Sequence, residues 1–303
     1  MSILPNWASL YLQRLQLDRK SPSLSYLSEL CRAHLQTFPY ENVSKLLFFR
    51  AGKHAIPSPE EYVQNAISHH FGGTCMTNNH SFLALLRALG FSGNLVLPGG
   101  GHAAILIDGP DTGETPVYVD TGATAPIFEP IHFLEEGNHA RSFGTVSMDL
   151  TKSPDHPEHY RFTRYENGKV AIPPWDFHPN ERKELSDLTE VIRSSFLPDA
   201  FFLNRLHIHR FQLEQDRFVV LKNNTLQLGY SDGTNQITTL HTVSDIEAAV
   251  ADEMQLPLLP VREAVEILLE RGIDIFAAPK KEEVPLENEA LVLKENSALD
   301  LLV

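Results

Sequence analysis

The sequence predicts an α+β fold in which helices come first and strands follow. Three observations carry this. Apolar residues recur at helical spacing through 1–90. From 91 to 195 the chain breaks into short β-rich runs separated by Gly, Pro and Asp. From 196 to 278 strand-like and helix-like segments alternate, and the tail, 279–303, is acidic and proline-bearing. The reading gives four units: helical, β-rich, mixed α/β, and tail.

The helices are justified one by one. Trp7, Leu10, Tyr11 and Leu15 share a face in the first. Ser21-Pro22 opens a second, with Pro at an early helical position. Its apolar face is Leu24, Leu27, Leu30, Cys31, His34 and Leu35, and Pro39 ends it. Ser58-Pro59-Glu60-Glu61 is a capping box for a third helix running toward Gly72-Gly73. The fourth begins at Thr74 or Cys75, carries Phe82, Leu85, Leu86 and Leu89, and stops at Gly90. GNLVLP, HAAILI, PVYVDTG, FGTVSM, HYRFTRYENG and GKVAIP read as strands, then RLHIHRFQ, DRFVVLKNN and TLQLGYS. Ser244 to Met254 and Val261 to Arg271 read as helices, and LENEALVL in the tail as a strand.

Composition narrows the function. Hydrophobic content is 42% and charged content 21%, ordinary for a soluble globular protein. No apolar run approaches the roughly 18 residues that span a bilayer. The start, MSILPNWASLYLQRLQL, lacks a basic segment followed by an apolar one, so no signal peptide is read and the cytosol is the default. A net charge of −14 repels phosphate backbones and argues against nucleic-acid binding. A local basic pocket for a small anion remains compatible with it. Two cysteines, Cys31 and Cys75, make no disulfide framework and fit a reducing compartment.

The chemistry concentrates in two segments. In FGGTCMTNNHSF, two glycines allow a sharp turn and Cys75 follows in the first turn of an amphipathic helix. Unpaired N–H groups and the helix dipole there stabilise a thiolate and can hold an oxyanion. Cys31 sits mid-helix on the leucine face and reads as core. In HAAILIDGPDTGETPVYVD, two β-rich runs flank a turn. An antiparallel hairpin centred on Asp111 pairs residues whose numbers sum to 222, which sets His102 opposite Asp120. An aspartate beside an imidazole fixes its tautomer and stabilises the imidazolium. Cys75, His102 and Asp120 then supply nucleophile, base and orienter. A Cys/His/Asp zinc site is the competing chemistry, but no fourth ligand stands at metal-like spacing. His207-Ile-His209 reads as coincidence on a strand, His69-His70 as surface, and the charges of Lys280 to Glu283 as a solvated stretch. No metal is expected.

These residues resemble the arylamine N-acetyltransferases. YLQRLQL, Leu24, Leu27, Leu30 and HLQTFPYENVSKLL are similar to that family's N-terminal pattern with its HL…PFENL segment. FGGTC, Asn79, Phe82 and LLRALGF resemble its nucleophile segment, RGGxC…N…F…lGF. HAAILI and VYVDTG resemble its two following strands, and FLPDAFFLNRLHIHRF its entry into a third domain. The resemblance implies an N-terminal helical bundle (1–90), a central β-barrel (91–195) and a C-terminal α/β lid (196–278). It implies a cysteine-protease-like triad carried by Cys75, His102 and Asp120. The implied reaction is ping-pong transfer of acetyl from acetyl-CoA, a co-substrate and not a bound cofactor, to an arylamine or arylhydrazine. Thr121 and Gly122 fall at the implied coenzyme pocket, and Arg205, Arg210 and Lys222 are cations available to its phosphates.

The departures are specific. Phe71 replaces the family's arginine, which is expected to pair with the glutamate that is Glu41 here, so Glu41 needs another partner or is exposed. The interval from Cys75 to His102 is short, as a trimmed loop at PGGG would make it. Thr121-Gly122-Ala123-Thr124 stands where the family has VGFG. The rival readings are a cysteine hydrolase or amide-forming enzyme on the same triad, and a catalytically silent relative.

Overall fold

The computed structural model describes residues 3–109, 115–133 and 140–277. The expected hairpin centre at Asp111, the charges of Lys280 to Glu283 and the LENEALVL strand lie outside the described residues. No helix among the described residues is long and apolar enough to cross a membrane.

The N-terminal segment is helical as expected. The helices are α1 (Asn6–Leu15), α2 (Leu24–Thr37), α3 (Val43–Arg50), α4 (Pro59–His69) and α5 (Cys75–Leu89). A short strand, β1 (Tyr40–Glu41), lies between α2 and α3. Ser23 caps α2, accepting the Tyr26 N–H at 3.1 Å, and α2 therefore starts after the Ser21-Pro22 pair. Ser58 caps α4 through the Glu61 N–H at 3.2 Å; such caps stabilise by about 1 kcal/mol each. Pattern reading missed α3 because it has no polar face to read: Val43, Ser44, Lys45 and Leu46 are all buried.

Among the described residues the β-rich middle forms two open sheets, which corrects the expected barrel. One has the order β2 (Ser92–Val96), β3 (Ala104–Asp108), β4 (Val117–Val119), β5 (Ile131–His132). The other runs β10 (Trp175–Phe177), β8 (Tyr160–Glu166), β7 (Val146–Lys152), β6 (Arg141–Phe143), with β9 (Lys169–Val170) on β8. The end strands β5 and β6 have two and three residues and do not pair with each other among the described residues. Burial on both faces holds the sheets together instead. Ile105, Ile107, Val117 and Val119 point into the helical core, while Leu106 and Tyr118 meet Met148, Leu150 and Phe162 of the second sheet. This is the alternation of a strand covered on both sides.

The third sheet has the order β1, β11 (His207–Gln212), β12 (Arg217–Lys222), β13 (Thr225–Tyr230), β14 (Asn235–Thr239). Its Ile208, Val219 and Leu221 pack with α3, α7 (Val243–Ala248) and α8 (Val261–Glu270). A small helix, α6 (Thr189–Ser194), precedes this sheet. β1 links it to the N-terminal part: Tyr40 pairs His209 on one side and bridges Gly73 on the other. The turn before Cys75 is thereby fixed to a strand from the far end of the chain.

Candidate active site

Cys75 is the first residue of α5, half-buried, after Thr74 at the N-cap. Its turn is held from several sides. Asn78 donates to the Gly73 carbonyl at 3.0 Å and accepts the Tyr62 hydroxyl at 2.9 Å. Gly72 packs so closely on the Pro39 carbonyl that a Cβ would overlap it. Cys31 is fully buried, and burial drives its thiol well above the ordinary range.

His102 lies two residues before β3, not at its start, and Asp120 directly follows β4. The hairpin register differs from the expected one by two residues: Ile105 pairs Val119 and Leu106 pairs Tyr118. This register sets the buried pairs Ile105/Val119 and Ile107/Val117 opposite each other, which the expected one does not. A shift of two keeps the parity of the pleat. His102 and Asp120 therefore still share a side of the ribbon, and His102 Nε2 stands 2.7 Å from Asp120 Oδ2.

Asp120 is 1% exposed and accepts three further bonds. They come from the Tyr118 hydroxyl at 2.9 Å, Asn79 Nδ2 at 2.9 Å and the Gly122 N–H at 2.8 Å. Asn79 also donates to the Ala103 carbonyl at 2.6 Å and accepts from the Thr121 N–H and hydroxyl at 2.9 and 3.1 Å. The His102 ring stacks on Trp175 with centroids 4.3 Å apart and planes 15° apart. Trp175 in turn stacks on Phe162.

The charges follow from these contacts. Burial alone raises the Cys75 thiol, but the His102 charge and hydrogen bond, with the Ala103 N–H, outweigh it and bring the thiol below its ordinary value. Burial lowers His102, yet Asp120 and Cys75 together raise it to about 10. Burial raises Asp120, and His102, Asn79 and the Gly122 N–H bring it below the usual carboxylate value. These shifts favour the thiolate of Cys75, the imidazolium of His102 and the carboxylate of Asp120. With Nε2 on Asp120, Nδ1 is the nitrogen left for the thiol.

Thr121 and Gly122 lie against this group. Thr121 is buried, with both its donors on Asn79. A Cβ on Gly122 would sit 2.5 Å from the Cys75 Cα. Arg210 is committed elsewhere, to the carbonyls of Gln36, Met254 and Gln255. Lys222 is exposed and near Glu166. Glu41 is fully buried despite the loss of the arginine; it accepts the Ser44 N–H and hydroxyl and the Gly72 N–H at 2.8, 2.6 and 3.1 Å. Among the described residues no three His, Cys, Asp or Glu side chains group to hold a metal.

Sequence reading quoted Asn79 only as part of the nucleophile segment, without a role, and assigned no part to Tyr118 or Trp175. Asn79 stands one helical turn from Cys75 and Tyr118 two strand positions from Asp120, spacings that share a face. Those two were recoverable. Trp175 arrives from another sheet and carries no local signal.

Residues 23–100 match a family model described as N-acetyltransferase. The fold matches solved arylamine N-acetyltransferases. One from Mycobacterium smegmatis superposes with a TM-score of 0.71 at 19% identity, over 89% of this chain and 98% of that one. The Mycobacterium marinum enzyme, in complex with CoA, gives 0.69 at 17%, over 87% and 98%. The Salmonella typhimurium enzyme gives 0.67 at 18%, over 84% and 93%. The chain carries the arylamine N-acetyltransferase fold. The resemblance seen in the sequence is thus shown, in residues 23–100 and in the fold, and those relatives are enzymes. No curated protein matches the sequence.

Proposed function

We propose that the chain is an acyltransferase that takes acetyl from acetyl-CoA onto Cys75 and passes it to an arylamine or arylhydrazine. The observation that carries this reading is the buried 2.7 Å contact of His102 with Asp120 beside a thiol of lowered pKa. The Cys75 thiolate attacks the thioester carbonyl. The carbon–sulfur bond to the coenzyme breaks, and the leaving thiolate takes the proton from His102. His102 is then neutral and accepts the proton of the incoming amine as it attacks acetyl-Cys75, which restores the thiolate–imidazolium pair. Asp120 keeps Nδ1 aimed at Cys75 through both halves. A thioester has a good leaving group, so a preformed thiolate suffices as the activated nucleophile.

The M. marinum relative in complex with CoA supports a coenzyme thioester as donor. Thr121 and Gly122 serve this donor indirectly: the first braces Asn79, and the second lets the loop close over Cys75 without a side chain.

Intact-mass spectrometry tests the reading. Acetyl-CoA alone is expected to add about 42 Da, one acetyl group, to the wild type and nothing to Cys75→Ala. A hydrolase that turns over without accumulating the adduct, or a chain that never reacts, gives no such mass.

A further inference from the structure

The glycine-rich segment PGGG is the sequence feature that the proposed chemistry leaves unused. Pro98–Gly100 forms a tight turn, and the His102 N–H donates back to the Pro98 carbonyl at 3.3 Å. Gly99 has φ +61°, and a Cβ on it would come within 2.7 Å of Trp175 Cδ1. A side chain there would strain the backbone and collide with the indole. The turn that delivers His102 is therefore bare on the side where Trp175 lies.

The indole is clamped on three sides. One face carries the His102 ring, with centroids 4.3 Å apart and planes 15° apart. The other carries Phe162, at 5.3 Å and 14°, its directly paired residue across β10 and β8. The Gly99 backbone meets its edge. With both faces covered, the indole offers no platform to an aromatic substrate. It meets the site through His102.

His102 is the cation of the proposed ion pair. Asp120, at the end of β4, holds its Nε2 at 2.7 Å, and Cys75 acts on it from α5. On β10 the neighbouring carboxylate, Asp176, is taken by Arg161 and Ser153. The two charged partners address the edge of the imidazole, and Trp175 covers its face. A cation within about 6 Å of an indole centroid is attracted by the electron-rich face, most strongly where water is excluded. His102 is 6% exposed. A neutral imidazole gains no such attraction.

We propose that Trp175 is a positioning residue that holds the His102 ring between Cys75 and Asp120 and favours its imidazolium form, and that the turn carries glycine at Gly99 so that the indole can reach it. The proposal rests on the Cys75–His102–Asp120 reading of the site. It changes no bond in the reaction. The attraction weakens when His102 gives its proton to the leaving thiolate and returns when the amine restores it.

The test reads the His102 proton in two ways on the full chain. The sequence has two tryptophans, Trp7 and Trp175, and Trp7 packs against the helical core. In Trp7→Phe the indole emission comes from Trp175 in an unaltered site, and an imidazolium in contact quenches it. The emission is expected to rise as pH passes through about 10, where His102 loses its proton, and the rise is expected to vanish when His102→Gln is added. The second reading is the alkaline limb of the pH profile for single-turnover acetyl loading, which follows the same proton. In Trp175→Leu that limb is expected to move down by about 0.5–1.5 pH units, and in Trp175→Phe, which keeps a ring face, by less. Gly99→Ala keeps the tryptophan but displaces it; the limb is expected to move as in Trp175→Leu. Slower loading at every pH with an unmoved limb is a packing effect and overturns the proposal, as does emission that ignores His102. If acetyl never loads, the acyl-cysteine reading fails, while the emission titration still decides the role of Trp175. That titration leaves Trp175 in place, so it stands even where Trp175→Leu does not fold.

Discussion

Replacing Asp120 by asparagine changes the charge at the centre of the site while keeping its shape. Asp120 accepts two bonds on Oδ1, from Asn79 and the Gly122 N–H, and two on Oδ2, from Tyr118 and His102. An asparagine oxygen satisfies the Oδ1 side, so its NH2 faces His102 Nε2. That nitrogen must then accept, and the proton moves to Nδ1, the nitrogen that serves Cys75. The imidazole can no longer take the thiol's proton and loses its counter-charge. A hydrogen bond to a charged group contributes about 1.5–3 kcal/mol, roughly 10- to 100-fold in rate. Loss of general-base action adds about 10²-fold or more. Asp120→Asn is therefore expected to slow acylation by about 10³-fold or more, read as single-turnover release of the coenzyme thiol. Iodoacetamide alkylation of Cys75 supplies the independent readout. The wild type is expected to alkylate faster near neutral pH than an ordinary thiol, because the contacts around Cys75 lower its pKa. The variant is expected to follow a titration displaced upward. A folded Asp120→Asn protein with the wild-type alkylation profile would refute the role given to the His102–Asp120 contact.

Four further outcomes are expected. Cys75→Ser removes acyl transfer while Cys31→Ser leaves turnover largely intact, since Cys31 is a fully buried thiol in the helical core; equal losses in the two would remove Cys75 from its role. Gly122→Ala places a methyl 2.5 Å from the Cys75 Cα, and forcing that backbone apart costs about 1–3 kcal/mol, seen as a lowered Tm together with slower Cys75 alkylation. The pH dependence of stability should carry a His102 limb: its pKa is raised when folded, so its contribution is fully present below about 6.5. That contribution is lost as pH rises toward 10, and denaturant titrations of wild type and Asp120→Asn from pH 6 to 10 should diverge at the low end and converge at the high end. Finally, Glu41→Ala strands the Ser44 and Gly72 donors at about 1–3 kcal/mol apiece, lowering Tm by roughly 5 °C or more, whereas Glu41→Gln keeps one acceptor for the Ser44 hydroxyl and the Gly72 N–H, turns its NH2 on the Ser44 N–H, and should melt between Glu41→Ala and the wild type.

Much of the site was legible because its parts are local. Cys75 advertises itself by two glycines and an amphipathic helix, and His102 and Asp120 by the two runs of one hairpin. The register inferred from the loop was off by two, and parity preserved the conclusion that a shift of one would have destroyed. What could not be read depends on contacts between distant segments. Trp175 stacks on His102 from a different sheet. The end strands β5 and β6 are too short to announce whether a sheet closes, so the barrel was expected where two open sheets occur. α3 is buried along its first turn and carries no amphipathic signature.

The exchange of arginine for Phe71 looks from the sequence like damage to the nucleophile's support, because it removes the expected counter-charge of Glu41. The surroundings of Glu41 show a different solution. The carboxyl is fully buried and is met by two backbone N–H groups and a hydroxyl instead of a cation. Burial raises its pKa, against the hydrogen bonds from Ser44 and Gly72 that lower it. Phe71 meanwhile turns into the apolar cluster under the third sheet, edge-on to Phe48. Hydrogen bonds from Ser44 and Gly72, with no cation to desolvate, tie the start of α3 to the turn before Cys75. The arginine's absence therefore does not argue for a silent relative, because the geometry it would have maintained is held by other groups.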